Sequence, residues 1–339
     1  MDKYRKVRQR TQTYIETSLQ NRQESSVHCT FHVSPLATRA EVATTHDPAY
    51  IDRYLRGDMT LAEQRNVGFP WSPAHVNRTL SSVGGTVAAA RVVVTKAIMR
   101  QQQQSSSLRG NPPAWAAHVA GGTHHAFYDY GEGFCIFSDM AVAANVVRQE
   151  FSDTIQRILL LDLDVHQGNG NARLFADRPD VTTVSLHCAA NYFSPKEQSD
   201  LDIELPVGCR DETYLLTLQH WLKQLERQQP RFDLVFFQAG VDGLEADRLG
   251  KLSLTARGMA RRNQMVYDWC FKHNLPLVIC MGGGYPRASS RGNGEEKDKA
   301  WEPILASHAA VYTGAFDYLT RVAAQRAEAS PEAATAVQG

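Results

Sequence analysis

Residues 158–170, ILLLDLDVHQGNG, set two aspartates and a histidine in strict alternation behind aliphatic residues. In an extended strand side chains alternate between faces, so Asp162, Asp164 and His166 share one side while Leu161, Leu163 and Val165 share the other. Three polar groups emerge together at the strand's carboxyl end, and Gly168 and Gly170 let the backbone turn away. The bland alternative is a helix-capping aspartate and a core histidine, against which the alternation argues. A second stretch, DLVFFQAGVDGLEAD, delivers Asp242 at the same kind of place, after residues 234–237 and a bend at Gly240. Alone, Asp242 would read as a turn residue. Paired with Asp164 and His166 it completes three ligands of the kind that bind one zinc ion, whose fourth position a catalytic site leaves to water.

Two further stretches carry groups that such a site would use. GGTHHAFYDYGEGFC, residues 121–135, places His124 and His125 on a glycine-flanked loop, where adjacent side chains can converge. A histidine pair is a weak signal alone. Beside a metal it supplies a base for the water proton and an acid for a leaving amine. MGGGY, residues 281–285, follows an apolar run. It reads either as a flexible turn or as a mobile backbone that brings the Tyr285 hydroxyl to an oxygen becoming negative in a transition state.

These groups need strands to carry them. Short apolar runs at 158–161, 181–186, 234–237 and 276–281 read as buried parallel strands. Between them, Leu215, Leu218, Leu222 and Leu225 recur with helical spacing, Thr255 opens a stretch with Met259, Val266, Trp269 and Cys270 on one side, and Ser138 caps another helix. The expected fold is α/β: a single domain with a central, mainly parallel sheet flanked by helices on both faces.

The chain has 339 residues, 43% hydrophobic and 21% charged, with zero formal net charge, which gives no global reason to propose nucleic acid as a partner. Lys3, Arg5, Lys6, Arg8, Arg10 and Arg22 read as a solvated helix face. No apolar run approaches the ~20 residues of a membrane span, and charges follow Met1, so a soluble, intracellular, cytoplasmic protein with no membrane partner is expected. The six cysteines are scattered and read as buried small hydrophobes rather than disulfides or zinc ligands. A Gln/Ser tract within 101–112 and the polar segment 287–299 read as surface insertions in a catalytic domain spanning 1–324, and 325–339 as a disordered tail.

In order, GGTHHAFYDYGEGFC, LDLDVHQGNG, VSLH, QAGVDGLEADRLGKLSLT and MGGGY resemble the successive signature blocks of the histone deacetylase family, over about residues 40–320. HQGNG and ADRLG make the chain similar to the class IV deacetylases and their bacterial relatives. The resemblance implies an arginase/deacetylase-like fold and a zinc-dependent hydrolase that removes acetyl or longer acyl groups from lysine side chains of proteins. It implies that Asp164, His166 and Asp242 bind the metal, that Asp162 orients His124, that His125 is the general base, and that Tyr285 stabilises the oxyanion. It also implies a structural potassium ion held by Asp162, Ser185 and main-chain oxygens around Asp164, His166 and Leu186. Phe134, beside Gly133, would form one wall of an acyl-lysine tunnel and Phe193 the other.

Two departures stand out. Asn169 takes the place where class I members put an aspartate behind the second histidine, leaving His125 less basic and the division between the two histidines open. The opening MDKYRKV resembles a point slightly inside the family's usual start, so an initial strand is expected to be missing. Three rival readings remain: a dinuclear manganese hydrolase of the arginase kind, for which the chain has too few further aspartates near Asp242; a deacetylase of small acetylated amines; and a catalytically silent acyl-lysine binding module. Oligomeric state is left open.

Overall fold

The computed structural model describes residues 2–20, 29–103, 113–227, 231–287 and 294–328. Helices α1 (Lys3–Gln20), α2 (Arg39–Val42), α3 (Pro48–Arg56), α4 (Leu61–Val67) and α5 (Pro73–Gln103) precede the first strand, β1 (Trp115–Ala117). Then follow α6 (Asp139–Glu150), β2 (Ile158–Asp162), α7 (Asn169–Leu174), β3 (Val181–Cys188), β4 (Leu201–Leu205), α8 (Asp211–Leu225), β5 (Leu234–Gln238), α9 (Ala256–Lys272), β6 (Leu277–Cys280) and α10 (Gly294–Glu328). The six strands form one parallel sheet in the order β1-β6-β5-β2-β3-β4.

Alternation along the strands divides the core between the two faces. Leu159 and Leu161 pack with Val235, Phe237 and residues of α8, α9 and α10, whereas Ile158 and Leu160 pack with Leu234, Phe236 and residues of α5 and α6. Parallel strands covered on both faces must be apolar throughout, which is why β2, β5 and β6 are wholly buried. Ser138 caps α6 by accepting from Ala141 N, and Thr255 caps α9 by accepting from Gly258 N.

The chain runs from β2 through β3 to β4 on one side of the sheet and adds β5 and β6 on the other, so connections diverge between β2 and β5. These two strands pair directly, Asp162 opposite Gln238. Ligands in open α/β sheets bind beyond the carboxyl ends of strands where connections diverge, which is where the motifs lie.

Several features differ from the sequence reading. Strands β1 and β4 were not anticipated, the first having three residues and the second alternating one exposed face with one buried. Helix α5 is long and apolar enough by length and composition to cross a bilayer, yet half of that stretch is buried, and it packs on α6, β1 and β6. The basic start is not a simple solvated face: Lys3 is buried, while Lys6 pairs with Asp298 and Arg10 with Glu302, joining α1 to α10. Residues 294–299 of the expected insertion and 325–328 of the expected tail are helical, within α10; Arg22, 104–112, 288–293 and 329–339 lie outside the described residues. All six cysteines are free, five of them buried.

Candidate metal centre

Strand β2 ends at Asp162, and the residues that follow bend. The alternation nonetheless continues, with Leu163 and Val165 in the core while Asp164 and His166 face the other way. Hydrogen bonds hold this short bend: Asp164 N donates to Asp162 Oδ1 and His166 N to Asp164 Oδ1, both at 3.1 Å. Val165 N donates to Asp242 Oδ1 at 3.0 Å, which couples the ends of β2 and β5. From behind, the buried guanidinium of Arg262 donates to the carbonyls of Leu163, Ala239 and Gly240 and fixes the same two strand ends.

Donor atoms of Asp164, His166 and Asp242 lie within 4.8 Å of one another, all buried. His166 Nδ1 is 3.1 Å from both Asp164 Oδ1 and Asp242 Oδ2. Burial opposes charge on this imidazole, but hydrogen bonds to the two carboxylates raise its pKa to about 10. Burial and the charge of Asp164 push Asp242 up to about 7. Two buried carboxylates facing one nitrogen are costly unless a cation joins them, and Asp/His/Asp is a donor set that zinc accepts. The residues therefore fit the metal. Among the described residues this is the one group of three or more such donors that could hold an ion.

Backbone from β6 closes the pocket. Gly283 N donates to Asp164 Oδ2 at 2.8 Å, and a Cβ on Gly283 would overlap Asp242 Oδ2, so a glycine is required there. Tyr285, half-buried, follows directly; its N donates to Asp247 Oδ2 at 2.6 Å. Burial, with Asp242 and Asp164 nearby, pushes its phenol well above the ordinary value, so the hydroxyl keeps its proton. Lys3, which the sequence had placed in solvent, sends Nζ to Gly284 O at 3.4 Å and lies 5.7 Å from the Tyr285 ring; burial lowers its pKa to about 8.

The histidine loop is pinned by buried Asp139, which accepts from Gly122 N, Thr123 N and Thr123 Oγ1. The two imidazoles lie 4.0 Å apart. His124 Nδ1 meets Asp162 Oδ2 at 2.6 Å, and His125 Nδ1 meets Asn169 Oδ1 at 2.6 Å. Burial disfavours charge on both. For His124 the carboxylates of Asp162 and Asp164 outweigh it and raise the pKa to about 9. For His125, burial and the charges of His124 and His166 hold the ring well below the ordinary value. His124 is thus held above the ordinary histidine value and its neighbour His125 below it.

These observations match what the comparisons find. The histone deacetylase domain model matches residues 4–295. The chain belongs to the histone deacetylase family. It is 42% identical, over 74% of its length and 77% of the relative's, to an uncharacterised protein of Picosynechococcus sp.. It is 32% identical to histone deacetylase 2 of Arabidopsis thaliana and to histone deacetylase 1 of Homo sapiens, over 52% and 50% of this chain. The chain spans less than half of those two relatives, 46% and 36%. Its fold resembles the crystal structure of the HDA15 HD domain at a TM-score of 0.62 with 22% identity, covering 92% of this chain and 83% of that one. A deacetylase homologue complexed with SAHA matches at a TM-score of 0.61 with 22% identity, covering 85% and 76%.

Beside the histidine pair stands an aromatic ring that the sequence reading did not name. Tyr192, at φ 85°, stacks on His125 with ring centroids 4.0 Å apart and stands 5.5 Å from His166. Phe193 packs on the far side of Tyr192 and is 70% exposed. Phe134, also at positive φ, lies 5.7 Å from Tyr285. Gly133 leaves room for the Tyr192 hydroxyl. Ser185 sits beside Asp162 in the β2–β3 register, its Oγ 3.0 Å from His187 Nδ1, and Leu186 is buried in β3. Sequence reasoning missed Tyr192, Asp139, Arg262, Lys3 and Glu132; for Glu132 and Asp139 the signal was an acidic residue in or just after the histidine motif.

Proposed function

We propose that this chain is a zinc-dependent deacylase that hydrolyses the amide of acylated lysine side chains, with one zinc ion held by Asp164, His166 and Asp242. The observation that carries the reading is the buried pair of carboxylates facing His166, set beside two histidines held by different partners, His124 by Asp162 and His125 by Asn169. When bound, zinc supplies Lewis acidity to the amide carbonyl and makes water a better acid. His125, neutral and donating a hydrogen bond from Nδ1 to Asn169 Oδ1, presents Nε2 to receive the proton of the attacking water. His124, kept protonated by Asp162, gives its proton to the leaving amine. Tyr285 donates a hydrogen bond from its hydroxyl to the carbonyl oxygen as that oxygen becomes negative. Tyr192, Phe134 and Phe193 supply apolar surface for the acyl-lysine stem.

The names of the Arabidopsis and human relatives support a protein substrate. HQGNG supports a class IV-like member. A structural potassium ion at Asp162, Ser185 and the main chain around Asp164, His166 and Leu186 belongs to the same reading; its support is the family membership, with Asp162 and Ser185 register partners.

Purified protein should contain about one zinc per chain by elemental analysis and release acyl groups from a fluorogenic lysine peptide, with inhibition by a hydroxamate chelator. Tyr285→Phe should lower kcat about a hundredfold with KM nearly unchanged. A metal ratio near two, or unchanged turnover in the Tyr285 variant, would refute this reading.

A further inference from the structure

Glu132 is a buried carboxylate between the histidine pair and the aromatic wall. Both of its oxygens are engaged: Oε1 accepts from Asn169 Nδ2 at 2.7 Å and Oε2 from Ser194 Oγ at 2.8 Å. A carboxylate can only accept here and a backbone N–H can only donate. Glu132 therefore identifies the Asn169 nitrogen at one end, and Gly170 N, 3.0 Å from Asn169 Oδ1, identifies the oxygen at the other. The amide is held in one orientation, with Oδ1 toward His125 Nδ1. His125 must then carry its proton on Nδ1 and leave Nε2 free to accept.

Asn169 is neutral, so it cannot itself answer the charge that appears when His125 takes a proton. The groups around His125 include the His124 and His166 rings, the Tyr192 ring, the Cys135 thiol at its backbone and the Asp164 carboxylate, and Asp164 belongs to the metal donor set. The next carboxylate, Glu132, stands one amide further out. We propose that Glu132 is a positioning residue for His125: it locks the Asn169 amide, supplies negative charge to the imidazolium through that amide, and, through Ser194, ties both to the loop bearing Tyr192 and Phe193. This rests on the deacylase reading for its kinetic consequences.

Glu132→Gln preserves shape. The introduced amide can accept from Asn169 through its oxygen and donate to Ser194 through its nitrogen, so charge alone is lost. We expect kcat to fall about tenfold with KM unchanged, and the acid limb of the kcat/KM profile to move to lower pH. Asn169→Asp sets two carboxylates at hydrogen-bond distance, which must share a proton, so its kcat should fall as pH rises and that proton leaves. Combining the two substitutions inverts the pattern atom for atom. The carboxylate now at position 169 accepts from His125 and from the amide nitrogen at position 132, whose amide oxygen in turn accepts from Ser194. Glu132→Gln should thus lower kcat in the wild-type background and raise it in the Asn169→Asp background. The same direction and factor in both backgrounds, or no effect in either, overturns the proposal. Nitrogen-15 shifts of His125 in metal-free protein read the tautomer without any turnover. The wild type and the double variant should hold Nδ1–H, and Glu132→Ala should show a mixture; a mixture in the wild type overturns the proposal. Wild-type protein that holds Nδ1–H, with Glu132→Ala mixed, yet cleaves no acyl-lysine would support the relay and sink the deacylase reading instead.

Discussion

His124 and His125 are sequence neighbours 4.0 Å apart, equally deep in the protein, and the arms that hold them are built differently. His124 rests directly on the carboxylate of Asp162, at the end of the central strand. His125 rests on the amide of Asn169, at the start of α7, with the Glu132 carboxylate one step beyond. Burial alone would keep both rings neutral. An anion in contact overcomes it for His124, whereas an amide in contact does not for His125. Two chemically identical side chains are thereby pushed in opposite directions, by an anion in contact for His124 and, for His125, by burial and the charges of His124 and His166 with only an amide in contact.

The sharpest way to break that difference is Asp162→Asn. His124 then loses the nearer of its two anions, with Asp164 given over to the metal, and its pKa should fall, weakening the proton donor for the amine. We expect kcat to fall by about 10²–10⁴, the usual scale for losing an acid–base partner. The sign of the pH effect follows from the acid role: activity needs protonated His124 and is lost as pH rises through its pKa, which stands at about 9 before any metal acts on it. A bound dication lowers that value in both proteins. The basic limb of the variant's profile should therefore lie well below that of the wild type, and coincident limbs would show that His124 is not the acid.

The residues of this contrast sit in short sequence motifs, although the sequence leaves open which histidine is the base. Asp162, Asp164 and His166 were readable from alternation behind four aliphatic residues, even though the strand ends at Asp162 and hydrogen bonds, not pleat, carry the pattern onward. Asp242 needed the pairing of β2 with β5, which only the sheet order supplies. Glu132 and Asn169 are 37 positions apart, and no local rule joins them. Lys3 was misjudged for a different reason: charge on an amphipathic helix predicts exposure unless another element covers it, and the Gly284–Tyr285 backbone does so here. Strand β1, three residues long, is too short for periodicity to show.

Weakening the His125 arm should do less than weakening the His124 arm. Asn169→Ala removes the acceptor at 2.6 Å and leaves His125 Nδ1 and one Glu132 oxygen without their partner. Partners that orient a working group in this way typically contribute about 10–100-fold, so kcat should fall within that range while zinc content stays near one per chain. A loss as large as that of Asp162→Asn would mean that the two arms contribute equally and that the neutral spacer has no special place. Loss of the metal would mean that Asn169 supports the bend at His166 rather than the imidazole.

The smallest effect should come from Tyr192. Its ring lies at 8° to the His125 imidazole and 4.0 Å from it, shielding that face from water, while Ser194 two residues later is tethered to Glu132. Stacked aromatic pairs contribute about 0.5–1.5 kcal/mol beyond the area they bury, which corresponds to between two- and roughly tenfold in a rate or a binding constant. Tyr192→Leu keeps the pocket apolar but opens the ring to solvent, so His125 should shift upward toward the ordinary histidine value from the low value that burial imposes. A base needs to be unprotonated, and its activity is lost as pH falls through its pKa. The acid limb of Tyr192→Leu should thus move to higher pH, opposite to the shift expected when Glu132 loses its charge. If both substitutions move the limb the same way, charge and burial are not separable at His125, and the contrast with His124 rests on Asp162 alone.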